Sequence, residues 1–235
     1  RFYENDGFME DLVLNDSVSQ EREHGVRGTL EWDINYDAKL TLKAEYSDVK
    51  IDGSYSEIIL DEANGIGPVV GPTFFQAVVG ASGGLIVPFA EADLDRKTYL
   101  DSPVTELTET FRYVANFEYE MSPFTFTSVT SYTGYDRKDG FCDCDFTAAP
   151  VVNARGEQDE YTQASQEFRL TSPVGNTVDW IGGLFYQQGE LEVVDYIDVP
   201  AFSLLGASLP GVLGTSAKRD FAVESNLWAV FAQAT

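Results

Sequence analysis

Histidine and cysteine are nearly absent. His24 is the only imidazole in 235 residues, and the thiols are limited to Cys142 and Cys144 in a C-D-C. With no G-x-S-x-G and no zinc-ligand spacing, the requirements of an active site go unfilled, and the chain is not expected to be an enzyme. The two cysteines are too close in sequence to bridge each other easily, and they build no disulfide framework. Basic residues are scarce as well: 15 Lys and Arg face 39 Asp and Glu, a formal net charge of −24. Binding to nucleic acid rests on cations meeting phosphates, so nucleic acid is set aside as a partner. The same acidity leans away from anionic ligands by direct charge steering. No leader pattern opens the chain. Arg1-Phe2-Tyr3-Glu4 starts directly in an amphipathic run and Gln233-Ala234-Thr235 closes inside another, so we expect an internal segment of a longer polypeptide.

Apolar and aromatic residues are plentiful, at 43% and 13%, enough for a folded all-β unit. They alternate. Val26, Gly28, Leu30, Trp32 and Ile34 share one parity, with Arg27, Thr29, Glu31 and Asp33 on the other. After the turn signal Asn35-Tyr36-Asp37-Ala38, Leu40, Leu42, Ala44 and Tyr46 continue the pattern against Thr41, Lys43, Glu45 and Ser47. Phe111, Tyr113, Ala115, Phe117, Tyr119 and Met121 repeat it, followed across Ser122-Pro123 by a strand over about 124–136. In that strand Phe124 and Phe126 share a parity that Val129 breaks, which predicts a bulge or a weaker register. Between Gln158 and Tyr186 two more runs put Phe168 and Leu170, then Trp180, Leu184 and Tyr186, on single faces. An opening strand over roughly 1–12 and a last one from about Val223 bring the total to about eight. Each has one apolar and one wet face.

The links alternate too. Tight turns near 35–38, at Ser122-Pro123 and near 172–177 alternate with long connections. Strands of about 10–13 residues exceed the usual globular length of about 5–6 and suit a tilted bilayer crossing of about 9–11. Short turns at one end and long loops at the other are the habit of outer-membrane barrels. Tyr46, Phe111, Tyr119, Phe124, Tyr132 and Tyr186, near strand ends, would suit interfacial girdles, though aromatics are also good strand formers in a sandwich core.

The run Q-A-S-Q-E-F-R-L-T-S-P (Gln163 to Pro173) followed by W-I-G-G-L-F-Y (Trp180 to Tyr186) resembles the barrel of TonB-dependent outer-membrane receptors. So do G-V-R-G-T-L-E-W (Gly25 to Trp32) and L-W-A-V-F-A-Q-A-T (Leu227 to Thr235). The resemblance implies an antiparallel transmembrane β-barrel segment, about eight strands of a 22-stranded barrel, with short periplasmic turns and long extracellular loops. All 235 residues would belong to the barrel domain. It also implies a plug domain and remaining strands elsewhere in the parent protein, and an inner-membrane energy-coupling complex. Lipid and lipopolysaccharide would surround the wall, with a surface lipoprotein as a further partner, in the bacterial outer membrane. The function implied is uptake of a scarce ligand: a ferric siderophore, a vitamin or an oligosaccharide. The rivals are a passive porin and a secreted all-β binding module.

Candidate site residues fall into three groups. Arg27, Glu31, Lys43, Glu45, Arg112, Glu118, Glu167 and Arg169 occupy the wet parity and would line the lumen, holding plug or water by mixed-sign pairs. The long links carry uncharged stretches, Ile66 to Ala90 and Ala201 to Ala217. The prolines and glycines of these stretches argue against a membrane helix. Their Phe74, Phe75 and Leu204 would either touch ligand at the barrel mouth or pack on neighbouring loops. Asp136, Asp139, Asp143 and Asp145 cluster hard oxygens that suit Ca²⁺, but the spacing departs from the EF-hand series and lacks its closing Glu; the plain alternative is a solvated acidic loop. No other cofactor is expected. Gly80 to Gly84 lacks the Lys-Ser/Thr of a phosphate loop.

Overall fold

The alternation produces one large sheet. The computed structural model describes the chain apart from residues 54–56, 58–62, 67–68, 74–93, 144–147, 174, 176 and 205–209, and gives only the backbone of 63–66, 69–73, 141–142 and 153–156. Its strands are β1 (Phe2–Asn5), β2 (Met9–Asp11), β3 (Asp16–Val18), β4 (Gln20–Asp33), β5 (Ala38–Asp52), β6 (Ala63–Ile66), β7 (Val69–Thr73), β8 (Lys97–Thr98), β9 (Thr105–Met121), β10 (Phe124–Asp143), β11 (Asn153–Thr171), β12 (Trp180–Asp198) and β13 (Ser216–Ala234). Eight of them hydrogen-bond in the order β1-β4-β5-β9-β10-β11-β12-β13. Every pairing in that series is antiparallel, so the sheet is a meander. Its edges, β1 and β13, do not meet, and the wall is an open part of a barrel.

The tight turns all lie at one end, between β4 and β5, β9 and β10, and β11 and β12. The other end carries the long links. There β2, β3 and β8 form a small sheet, and β6 pairs with β7. The small sheet is pinned by Asp11, whose fully buried carboxylate accepts backbone N–H bonds from Val13 and Leu14 at 2.8 Å and from Leu100 at 2.9 Å. Three donors offset the cost of burying this carboxylate and tie the first link to the segment before β9. Gly53 closes the same corner at φ +94°, where an added Cβ would lie 2.3 Å from the Cβ of Val18. Only glycine meets both demands there.

Two strand expectations need correction. The opening run is two strands, because Gly7 adopts φ +90° and turns the chain out of the main sheet after Asn5. β10 pairs with β9 without interruption from Phe124 to Asp139; the irregularity falls between Asp139 and Phe141, beyond the segment where it was expected. Strands also run longer than their hydrophobic alternation. β10 spans 20 residues and β11, β12 and β13 span 19 each, so the links between them shorten accordingly.

Among the described residues no second layer covers the main sheet. The buried apolar residues, among them Met9, Val18, Leu100, Ala149 and Val151, belong mostly to the links, while Leu30 is 59% exposed in mid-strand. A sandwich would bury such residues between two sheets about 10 Å apart. Here the apolar face has no protein partner among the described residues.

Candidate functional site

Register assigns every strand residue to a face and a level. One row reads Leu30, Leu42, Ala115, Thr130, Gln166, Tyr186, Trp228, and the next toward the tight turns reads Trp32, Leu40, Phe117, Ser128, Phe168, Leu184, Val230. Above them lie the row Gly28, Ala44, Tyr113, Tyr132 and then Val26, Tyr46, Phe111, Gly134; below them lie Ala38, Tyr119, Phe126 and Leu170. All six aromatics singled out for girdles share this face, but they are spread over five rows rather than gathered at two levels. Tyr46 and Phe111 lie in the row nearest the long links, Tyr132 in the next and Tyr186 in the mid-band row of Leu30; Trp32 follows, then Tyr119, with Phe124 and Trp180 nearest the tight turns. Ring pairs form near both ends of the band, Phe111 with Tyr132 at 5.3 Å and Phe124 with Trp180 at 5.6 Å between centroids. On β9 the band runs from Phe111 to Met121, about 34 Å along the strand at about 3.4 Å per residue, or about 24 Å high at a tilt of about 45°. Outer-membrane barrels carry an apolar band of about 25 Å between aromatic girdles. One level beyond it the same face turns polar, with His24, Asp48, Glu109, Asp136 and Glu160 in a single row.

The opposite face is wet along most of its width. All eight lumen candidates share it, at four levels: Arg27, Glu45 and Arg112 in one row, Lys43 in the next, then Glu31 and Glu167, then Glu118 and Arg169. Mixed-sign pairs do form, Arg27 Nε to Glu45 Oε1 at 3.0 Å, Lys39 Nζ to Glu31 Oε2 at 2.9 Å, and Arg169 to Glu167. Near β13 the face becomes apolar, with Phe185, Leu227 and Phe231.

Toward the long links the wet face carries a cluster that sequence reading missed. Arg137 is bracketed by Glu157 and Asp159, each 2.9 Å from Nη2, and by Asp139 at 4.0 Å. Glu106 stands across the strand from Asp139. One guanidinium thus serves four carboxylates. Burial pushes the Asp139 carboxyl up to about 6; Arg137 pulls it down, while Glu106, Glu157 and Asp159 raise it further. The group lies beyond the apolar band. Its discoverable signal was the shared parity of Arg137 and Asp139 with Glu157 and Asp159, which becomes meaningful only once the β10–β11 register is known. Tyr135 and Tyr161 also meet on this face, with ring centroids 5.6 Å apart.

The three described aspartates of the four proposed for Ca²⁺ have separate partners. Asp136 belongs to the apolar-band parity and binds Lys138 at 2.6 Å, Asp139 faces Arg137, and Asp143 is buried at the end of β10, accepting the Asp101 N–H at 2.9 Å. Asp145 lies outside the described residues. Among the described residues no three His, Cys, Asp or Glu stand close enough to share a metal ion.

No protein-family model and no curated protein matches the sequence. Among solved structures, the ferric yersiniabactin uptake receptor FyuA from Yersinia pestis matches with a TM-score of 0.59 over 99% of this chain. The likeness is one of fold. Identity is 10%, and the chain spans 37% of the length of that receptor. The wall described above therefore has the fold of part of a barrel like that of the longer neighbour.

The loop candidates fall at the long-link end. Phe74 and Phe75 lie outside the described residues. Leu204 packs against Ala149 and Val151, its N–H donates to the Pro150 carbonyl at 3.1 Å, and Ser203 Oγ donates to the Val151 carbonyl at 2.7 Å. Of the two roles considered for Leu204, packing on a neighbouring loop is the one the contacts favour. Leu204→Ser is expected to loosen the two links by about 1–2 kcal/mol. Faster proteolytic nicking at 199–215 with unchanged thermal unfolding of the strands would show it; an unchanged nicking rate would count against it.

Proposed function

We propose that the chain is part of the wall of an outer-membrane receptor that takes up a scarce ligand through a plugged barrel, driven by an inner-membrane coupling complex. The observation that carries this reading is the aromatic-rich apolar band, about 24 Å high, on one face of a meander whose tight turns lie at one end. A polar opposite face with paired charges suits a water- or plug-filled interior. The fold of the iron-receptor neighbour supports the same reading, as does the sequence resemblance to TonB-dependent receptors. We place the tight turns at the periplasm, the long links outside the cell, and the missing strands and plug in the parent protein. The proposal includes no catalytic step.

Deleting the parent gene tests it. Uptake of one member of a panel of ferric siderophores, vitamins and oligosaccharides should fall to background in the deletion strain and also in wild-type cells treated with a protonophore. Uptake that survives the protonophore would instead indicate a passive porin, and a parent protein that stays in the aqueous fraction would overturn the membrane reading.

A further inference from the structure

Cations are the scarce partner in a chain with 39 acidic and 15 basic residues, so a cation left without an acid is unexpected. Two such cations lie side by side on the wet face. Arg112 stands across from Glu45, but Glu45 is taken by Arg27 at 3.0 Å. Lys43 stands across from Val114, one level nearer the tight turns and diagonal to Arg112. Both are exposed, and among the described residues neither has an ion pair or a hydrogen bond. The acidic cluster at Arg137 does not neutralise them. It begins two levels away, about 14 Å along the strand at about 3.4 Å per residue, beyond the Debye length of about 8 Å at physiological salt.

The surroundings suit an anion. Arg112 borders a hollow of about 480 Å³ over Gly25, where a Cβ would meet nothing nearer than 3.7 Å. The charges of Arg1 and Glu23 there cancel, as do those of Arg27 and Glu45, which leaves Arg112 as the excess. Beside it Ser47 Oγ and Thr110 Oγ1 are 2.7 Å apart; one hydroxyl proton is used in that bond and the other is free to donate outward. A planar guanidinium with a hydroxyl donor beside it, and an ammonium one level below, is the donor set that a carboxylate or phosphate takes.

We propose that Arg112 and Lys43, with the Ser47–Thr110 hydroxyl pair, form an oxyanion site on the interior wall for a small ligand carrying a carboxylate or phosphate group. This inference rests on the barrel reading, which makes the wet face the interior. It also qualifies the lean away from anions drawn from net charge: the local field at this level is positive.

The test uses the full-length parent in detergent, checked for folding by heat-modifiable electrophoretic migration, with inorganic pyrophosphate as the probe at about 0.15 M salt. Saturable binding is expected, weakened about tenfold or more by Arg112→Gln and less by Lys43→Gln, and only partly restored by Arg112→Lys, which keeps the charge but loses the fork. Pyrophosphate binding that is equal in wild type and Arg112→Gln overturns the site. So does no binding by the wild type, the result expected if an acidic side chain of the parent already fills it. A parent protein that never reaches the outer membrane is a different failure, that of the barrel reading.

Discussion

Arginine at position 42 is expected to block assembly of the parent protein in the outer membrane, while arginine at position 41 is expected to be tolerated. The two residues are neighbours in β5 on opposite faces. Leu42 lies in the row with Leu30, Ala115 and Thr130, at the middle of the apolar band. A guanidinium at that depth on a lipid-facing wall costs about 2–4 kcal/mol, a large share of a stability of about 5–15 kcal/mol. Thr41 lies across from Glu31, so an arginine there gains an acidic neighbour in a wet setting. Heat-modifiable migration and the urea midpoint of Leu42→Arg and Thr41→Arg parents decide the matter. Equal behaviour of the two would mean that the apolar face does not meet lipid, and the membrane reading would fall with it.

The difference between these two neighbours was legible from the sequence, because a period of two assigns faces without any knowledge of partners. The same reasoning placed Tyr46, Phe111, Tyr119 and Tyr186 on the apolar parity and the eight charged candidates on the other before register was known, but left the facing of the strand with Phe124 and Tyr132 open. What it could not find were the strand ends. Beyond the band, β10 continues through Asp136 to Asp143 and β11 begins at Asn153, where both parities are polar and alternation carries no signal. Ladder hydrogen bonds to an already positioned neighbour hold these extensions. The expected bulge near Val129 was an error of the same kind. Val129 is one apolar residue on the wet parity, opposite Asn116 and Glu167, and needs no break in register. Arg137 was passed over because its partners Glu157 and Asp159 are distant in sequence, and the nearby aspartates drew attention toward a metal.

Arg137 is where the second large effect is expected. Removing it as Arg137→Ala leaves Glu106, Asp139, Glu157 and Asp159 facing one another without a cation, so the variant should lose about 2–3 kcal/mol at neutral pH. Asp139 gives that loss a pH dependence. Its folded value of about 6 lies above the ordinary 3.8, so the folded state holds the proton more tightly than the unfolded one. Stability from this group is complete below about pH 4, is lost as pH rises toward 6, and is absent above it. Asp139→Asn should accordingly match the wild type near pH 4 and exceed it at pH 7–8 by about 1 kcal/mol, a figure reduced for solvent screening of a half-exposed group. Arg137→Ala should show a steeper decline between pH 5 and 7 than the wild type, since the guanidinium is the one neighbour that lowers the Asp139 value. Urea midpoints at pH 4, 6 and 8 for both single variants and the double variant measure the coupling directly. A double variant no more stable than Arg137→Ala at pH 8 would show that Asp139 is not the strained member. The balance at Arg137 would then rest on Glu157 and Asp159 alone.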